Sequence, residues 1–360
     1  MRCPPEEDKK LWDYRRMKPQ REPKVFDVKA RWGSVPSEAV CSCGHRTSKR
    51  VCPACHNSLP SEFGKMETIT IAMIGAKASG KSNYIAVLIH ELQNRIGTEF
   101  NASLLAQDDE TEDRYKRDFK RYVFDSQLVV PVTDASGSYQ LRYPLIYKLS
   151  LGGKRFGMNT RREIMLVFFD TAGENLDQLD RMSTETRYIC NADGLVFLLD
   201  PMQIEGVRNQ LPQTVPLPRI YTAPEEIMNR AGRLIRNVTG RSPKIPVAVT
   251  FSKVDEIRSV LDDGSPLHRS SEHAGYYDET DGEDVHENLR GHLRKWTADS
   301  FENTMKGHFD QTFRYFGLSA LGSSPDASGR LLRGVAPFRV EDPFLWLLSK
   351  SGFIEAKRRK

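Results

Sequence analysis

Thr68-Ile69-Thr70-Ile71-Ala72-Met73-Ile74 runs directly into Gly75-Ala76-Lys77-Ala78-Ser79-Gly80-Lys81-Ser82, and a helical pattern continues from Lys81 to about residue 95. The first stretch is β-branched and apolar, the signature of a buried strand. The second fits G-x-x-x-x-G-K-[ST] in full. Its glycines let backbone N–H groups turn inward around a phosphate chain. The Lys81 ammonium reaches the β and γ phosphates, the Ser82 hydroxyl suits Mg²⁺, and the following helix aims its positive end at the anion. Strand, loop and helix in this order give the motif the context it needs. The residues expected to line a nucleotide here are Gly75, Ala76, Lys77, Ala78, Ser79, Gly80, Lys81, Ser82 and Asn83, with Lys81 also catalytic.

Further apolar runs follow at residues 145–151, 164–169, 194–199, 245–251 and 313–318, with helical stretches near 223–237, 286–305 and 343–356. Near-continuous apolar strands alternating with helices predict an α/β fold, a mostly parallel sheet with helices on both faces. Two segments read as insertions: 108–127, charged and helical, and 262–284, rich in Asp, Gly, Ser and His and expected to be a mobile loop. The domain organisation expected is an irregular arm over 1–40, a cysteine ribbon over 41–60 and a nucleotide-binding domain over 67–357.

The chain has 360 residues, 39% hydrophobic, with 53 basic and 48 acidic residues for a net charge of +5. So mild an excess is a mixed solvated surface; nucleic acid is a possible partner but is not indicated. The basic tail from Lys357 to Lys360 reads as frayed and solvated. No apolar run approaches the ~20 residues of a membrane helix, and no secretory leader is visible. A cytoplasmic protein is expected.

Downstream, Asp170-Thr171-Ala172-Gly173-Glu174 follows the 164–169 strand. Asp170 at a strand end can hold Mg²⁺ through water, and the Gly173 N–H can meet the γ phosphate. Ser252-Lys253-Val254-Asp255 follows the 245–251 strand and resembles the [N/T]-K-x-D signature of GTPases. The Asp255 carboxylate can accept two hydrogen bonds from N1 and N2 of guanine, a donor pair adenine lacks, and the Lys253 stem packs over the base. Ser252 stands where Asn or Thr is usual. Ser319-Ala320-Leu321, after the last strand, resembles the loop whose backbone N–H meets guanine O6.

The ordered set resembles a Ras-like P-loop G domain of the translation-factor-related class. It is most similar to bacterial double-GTPase-type proteins, in which a short cysteine ribbon precedes the G domain. Arg339-Val340-Glu341-Asp342-Pro343-Phe344-Leu345-Trp346-Leu347-Leu348 resembles the start of that group's last helix. The resemblance implies GTP/GDP and Mg²⁺ as ligands, and an association with bacterial conflict or signalling systems. A Ras-like switch also needs a threonine on Mg²⁺; Thr133 is the candidate, since Thr160 lies too close to the next strand. The Mg²⁺ set is then Ser82, Thr133 and Asp170. Glu174 stands where Ras-like proteins place the glutamine that orients water, and its added negative charge predicts slow hydrolysis. Arg161, Arg162 and Arg187 are near in sequence, but none is identified as a finger arginine.

Cys41, Cys43, Cys52 and Cys55 have knuckle-like spacing that suits tetrahedral Zn²⁺. His45 or His56 are alternative ligands. Three functional readings follow: a Mg²⁺-dependent GTPase switch read by a protein effector or activating protein, a GTP-binding scaffold with negligible turnover, and a P-loop ATPase. Oligomeric state is not legible.

Overall fold

The computed structural model describes residues 4–15, 20–28, 36–53, 55–76, 78–131, 144–155, 158–169, 189–213, 215, 217–219, 222–240, 242, 244–309 and 313–359. Its framework is one sheet of seven strands: β1 Glu67–Ile74, β2 Ala102–Ala106, β3 Leu145–Arg155, β4 Met158–Phe169, β5 Gly194–Leu199, β6 Val247–Phe251 and β7 Phe313–Gly317. Their order is β7-β6-β5-β1-β4-β3-β2. The pairs β4–β1, β1–β5, β5–β6 and β6–β7 are parallel, while β3 runs antiparallel to both β4 and β2. The sheet is therefore mostly parallel, with an antiparallel margin that β2 extends by one strand.

Helices cover both faces. They are α1 Lys81–Gln93, α2 Asp109–Tyr115, α3 Pro224–Thr239, α4 Glu279–Thr297, α5 Ser300–Phe309 and α6 Asp342–Lys350. Alternation along each strand divides the core between them. Ile71 and Met73 of β1 and Val196 and Leu198 of β5 pack with Ile85, Leu88, Phe119 and Phe344. Ala72, Ile74, Leu195, Phe197 and Leu199 pack with Met228, Leu289, Phe301 and Met305 on the other side. Burial on both faces makes these strands continuous apolar runs rather than alternating ones.

Several expectations need correction. The 108–127 insertion is helical, but α2 runs on into a π-helix, Lys116–Asp125. The helix expected over 286–305 is two helices, broken where Ala298 and Asp299 take positive φ of 48° and 66°. The 262–284 segment is not a loose loop. His273, Asp278 and Asp281 within it are buried, and Tyr277–Asp278 pairs in parallel with Ala356–Lys357. That pairing also fixes the basic tail: Arg359 bonds Asp278, Arg358 pairs with Glu283 at 2.6 Å, and Lys357 lies 4.8 Å over the Tyr276 ring. Polar residues read as solvated in sequence are here each other's partners.

The arm is less irregular than its composition suggests. A helix at Lys9–Arg15 buries Leu11 and Trp12, and Asp8 accepts from the Leu11 N–H and contacts His56 Nδ1 at 2.9 Å. The cysteines lie at the turns of two small hairpins, Ala39–Val40 with Arg46–Thr47 and Arg50–Val51 with Ser58–Leu59. The shared zinc site expected for Cys41, Cys43, Cys52 and Cys55 is not shown by the structure. Cys41 and Cys43 are joined as a disulfide. A hydrogen bond with Cys52, then burial, push the Cys55 thiol well up. Among the described residues no group of three or more His, Cys, Asp or Glu side chains could hold a metal ion, and no helix is long and apolar enough to cross a membrane.

Candidate functional site

The loops expected to meet a nucleotide leave the same edge of the sheet, the carboxyl ends of β1, β6 and β7. Here the chain departs from the central β1 toward one margin and later returns on the other side, the usual place for a ligand crevice.

At the end of β1 the phosphate loop packs hard against β5. A Cβ on Gly75 would lie 2.3 Å from the Leu198 carbonyl and 2.6 Å from Ser79 Oγ, so only glycine fits. Gly80 takes φ 89° immediately before α1, a conformation costly for any residue with a side chain. Lys81 is 7% exposed, and its Nζ donates to the Gly75 and Ala76 carbonyls, both at 2.9 Å. Ser79 Oγ is buried without a hydrogen-bond partner among the described residues. An inward lysine, an unsatisfied hydroxyl and a backbone without room for a methyl group are what a phosphate chain would complete. Ser82 stands half-buried in the first turn of α1. The Asn83 Oδ1 accepts from the Val130 N–H at 2.9 Å, tethering the segment after α2 to the start of α1. Lys77, Thr133, Asp170, Gly173, Glu174 and Arg187 lie outside the described residues.

The base side is bound more tightly to the fold. Ser252 is 4% exposed, its Oγ donating to the Leu199 carbonyl at 3.0 Å and its N–H to the same oxygen at 2.8 Å. The serine thus ties β6 to β5 through its hydroxyl. Lys253, at φ 55°, extends its Nζ 2.6 Å from Oδ2 of Asp200. Asp200 is 4% exposed at the end of β5 and also accepts from the Met202 N–H. Sequence reading missed it, although its place after an apolar strand is the signal used for Asp170. Burial, then the neighbouring Asp255 carboxylate, push Glu256 up from its ordinary value. Ser319 exchanges two backbone hydrogen bonds with Phe338, at 3.0 and 2.9 Å, and its Oγ accepts from the Gly322 N–H. Ala320 and Leu321 lie half-buried beside it, and the Leu321 carbonyl accepts from the Ala336 N–H.

Arg161 and Arg162 lie toward the start of β4, at the opposite end of the sheet from this edge, where Arg162 donates to the Gly352 and Phe353 carbonyls. Neither can act as a finger arginine.

Residues 69–274 match the model of the family described as double-GTPase 2. The chain belongs to the double-GTPase 2 family. As a G domain of this family it binds guanine nucleotide. The match ends before β7, so Ser319, Phe338 and Arg339 lie beyond it. Over 325 residues the chain is 30% identical to the putative ESX-1 scaffolding and assembly protein SaeC of Mycolicibacterium smegmatis, covering 84% of this chain and 80% of that protein. Among solved structures, the putative nucleolar GTP-binding protein 1 of Plasmodium falciparum is 14% identical with a TM-score of 0.32, covering 82% of this chain and 92% of that one. The GTP-bound GTPase-like domain of S. cerevisiae Ski7 is 14% identical with a TM-score of 0.34, over 81% and 51% of the two chains. Superpositions this loose carry no argument about the site.

Proposed function

We propose that this protein is a Mg²⁺-dependent GTP-binding switch that hydrolyses GTP to GDP slowly when alone. The observation that supports the guanine reading is the Lys253–Asp200 pair, which ties the Ser252–Asp255 loop to the end of β5. Lys81 exchanges its loop carbonyls for phosphate oxygens, and Asp255 accepts from the guanine N1 and N2 groups. Ser82, with Thr133 and Asp170, would hold Mg²⁺, whose contribution is to neutralise phosphate charge. The Gly173 N–H meets the γ phosphate and Glu174 orients water. No finger arginine is identified among the described residues, so we assign the remaining acceleration to an activating protein, since such arginines contribute roughly 10³–10⁵-fold.

Calorimetric titration of the Mg²⁺-loaded protein with GDP, a GTP analogue and ADP, beside Asp255→Ala, tests this. The expected result is guanine binding weakened by about 10–100-fold in the variant, as for hydrogen bonds to a charged acceptor. Equal binding of ADP and GDP by the wild-type protein would overturn it and leave an ATPase.

A second reading, a GTP-loaded scaffold with negligible turnover, is favoured by Glu174 and by the similarity to SaeC, named a putative scaffolding and assembly protein. On this reading the bound nucleotide is read by a protein partner during an assembly step. Single-turnover phosphate release separates the two: no release over hours would favour the scaffold.

A further inference from the structure

The loop that resembles a guanine O6 contact is held from behind by residues outside any nucleotide motif. Residues 336–338 lie along 319–322 through backbone hydrogen bonds, and a Cβ on Gly322 would lie 2.2 Å from the Ala336 carbonyl. The strap continues into Arg339, which takes φ 53° and has a 0% exposed side chain. Every N–H of its guanidinium is used. Nε donates to the Arg269 carbonyl at 2.9 Å, and Nη1 to Asp281 Oδ2 at 2.6 Å and Asp342 Oδ2 at 2.7 Å. Nη2 donates to the Pro266 carbonyl at 3.2 Å and Asp281 Oδ1 at 3.0 Å. His273 Nε2 lies 2.9 Å from Asp342 Oδ1, which adds a second basic group to the two buried carboxylates.

These partners reach both base loops. Residues 266–269 follow the short helix Val254–Ile257 that carries Asp255, and Arg258 at the end of that helix stacks 4.7 Å from the Phe338 ring. The Val254 N–H donates to the Leu318 carbonyl, joining the two loops directly. A left-handed arginine with all five N–H groups satisfied is an exacting arrangement, since the backbone conformation is itself costly. A shorter or single-headed cation cannot reproduce it.

We infer that Arg339, through the Phe338 strap, is the positioning residue that sets Asp255 and the Ser319–Leu321 loop at the distance guanine requires. The inference rests on the guanine reading above. Arg339 touches no part of the nucleotide, so its loss moves base discrimination and leaves the grip on phosphate intact.

The test compares GDP, IDP, ADP and inorganic pyrophosphate with Mg²⁺ on the wild-type protein, Arg339→Lys and the milder Phe338→Leu, with a thermal melt of each. IDP lacks the 2-amino group, so the GDP-to-IDP ratio reports whether Asp255 is in place. The expected wild-type ratio is about tenfold or more, falling to within about twofold in Arg339→Lys with pyrophosphate affinity unchanged. If Arg339→Lys does not fold, Phe338→Leu carries the test, with a partial fall of the ratio expected. A variant that melts lower but keeps the wild-type ratio would overturn the inference, making Arg339 a structural ion pair only. A wild-type protein with no preference for GDP over IDP and ADP would instead remove the guanine reading, and this inference with it.

Discussion

At the phosphate end of the site, Lys81 donates to its own loop carbonyls, and Ser79 Oγ lies buried without a partner among the described residues. At the base end, Asp200 caps and pairs, Ser252 ties two strands, and Arg339 uses all its donors. The contrast separates two jobs. The base end is built before any ligand arrives, so it can discriminate. The phosphate end is completed by the ligand, so it can respond to whether a γ phosphate is present.

Lys81→Met should give the largest effect. It removes a charged donor that bonds the Gly75 and Ala76 carbonyls in the loop, so GDP and GTP affinity should fall by about 100-fold or more, with little change in denaturant midpoint. A matching loss of apo stability would mean that the lysine is chiefly structural and would erase the contrast. Asp200→Asn tests the other end. A buried acceptor is weakened, so the apo midpoint should drop, and GDP and GTP should weaken equally, by about tenfold. Unequal effects on the two nucleotides, read by competition with a fluorescent analogue, would show that the base end also senses the γ phosphate.

The smallest effect is a pH dependence behind β7. His286 Nδ1 accepts from the Tyr315 N–H at 3.0 Å, and burial pushes the imidazole down to about 4. The folded form thus keeps this ring neutral where the unfolded chain would protonate it. Its contribution is complete above the ordinary value of 6.5 and is lost as pH falls from there toward about 4. His273, raised by its bond to Asp342 against the opposing effect of burial, acts in the opposite sense, stabilising below 6.5 and losing that as pH rises through its folded value. Urea midpoints at pH 7, 5.5 and 4.5 should fall more steeply in the wild-type protein than in His286→Asn. Parallel slopes would exclude the ring as a source of acid sensitivity.

Much of the framework was legible because the central strands are buried on both faces. Gly194–Leu199 is buried throughout and reads as unbroken apolar sequence. β2, Ala102–Ala106, escaped notice because a short margin strand with Leu105 55% exposed carries no such run. The α4–α5 break has neither Gly nor Pro, only two left-handed residues. In the site, the glycine and lysine positions followed from local spacing. Asp200, Phe338 and Arg339 did not, because their partners are distant in sequence and a buried acid reads like a solvated one until that partner is placed. The 262–284 segment misled for the same reason.

The strap at 336–338 also sets an order of events during synthesis. At ribosomal speeds the phosphate loop emerges on the order of ten seconds or more before the strap. A nascent chain therefore carries its anion-binding turn well before the residues that align its base loops, and nucleotide of any kind could occupy it first. Choice of guanine becomes a property of a chain synthesised through the strap, so engagement of the correct nucleotide waits on the folding of that segment.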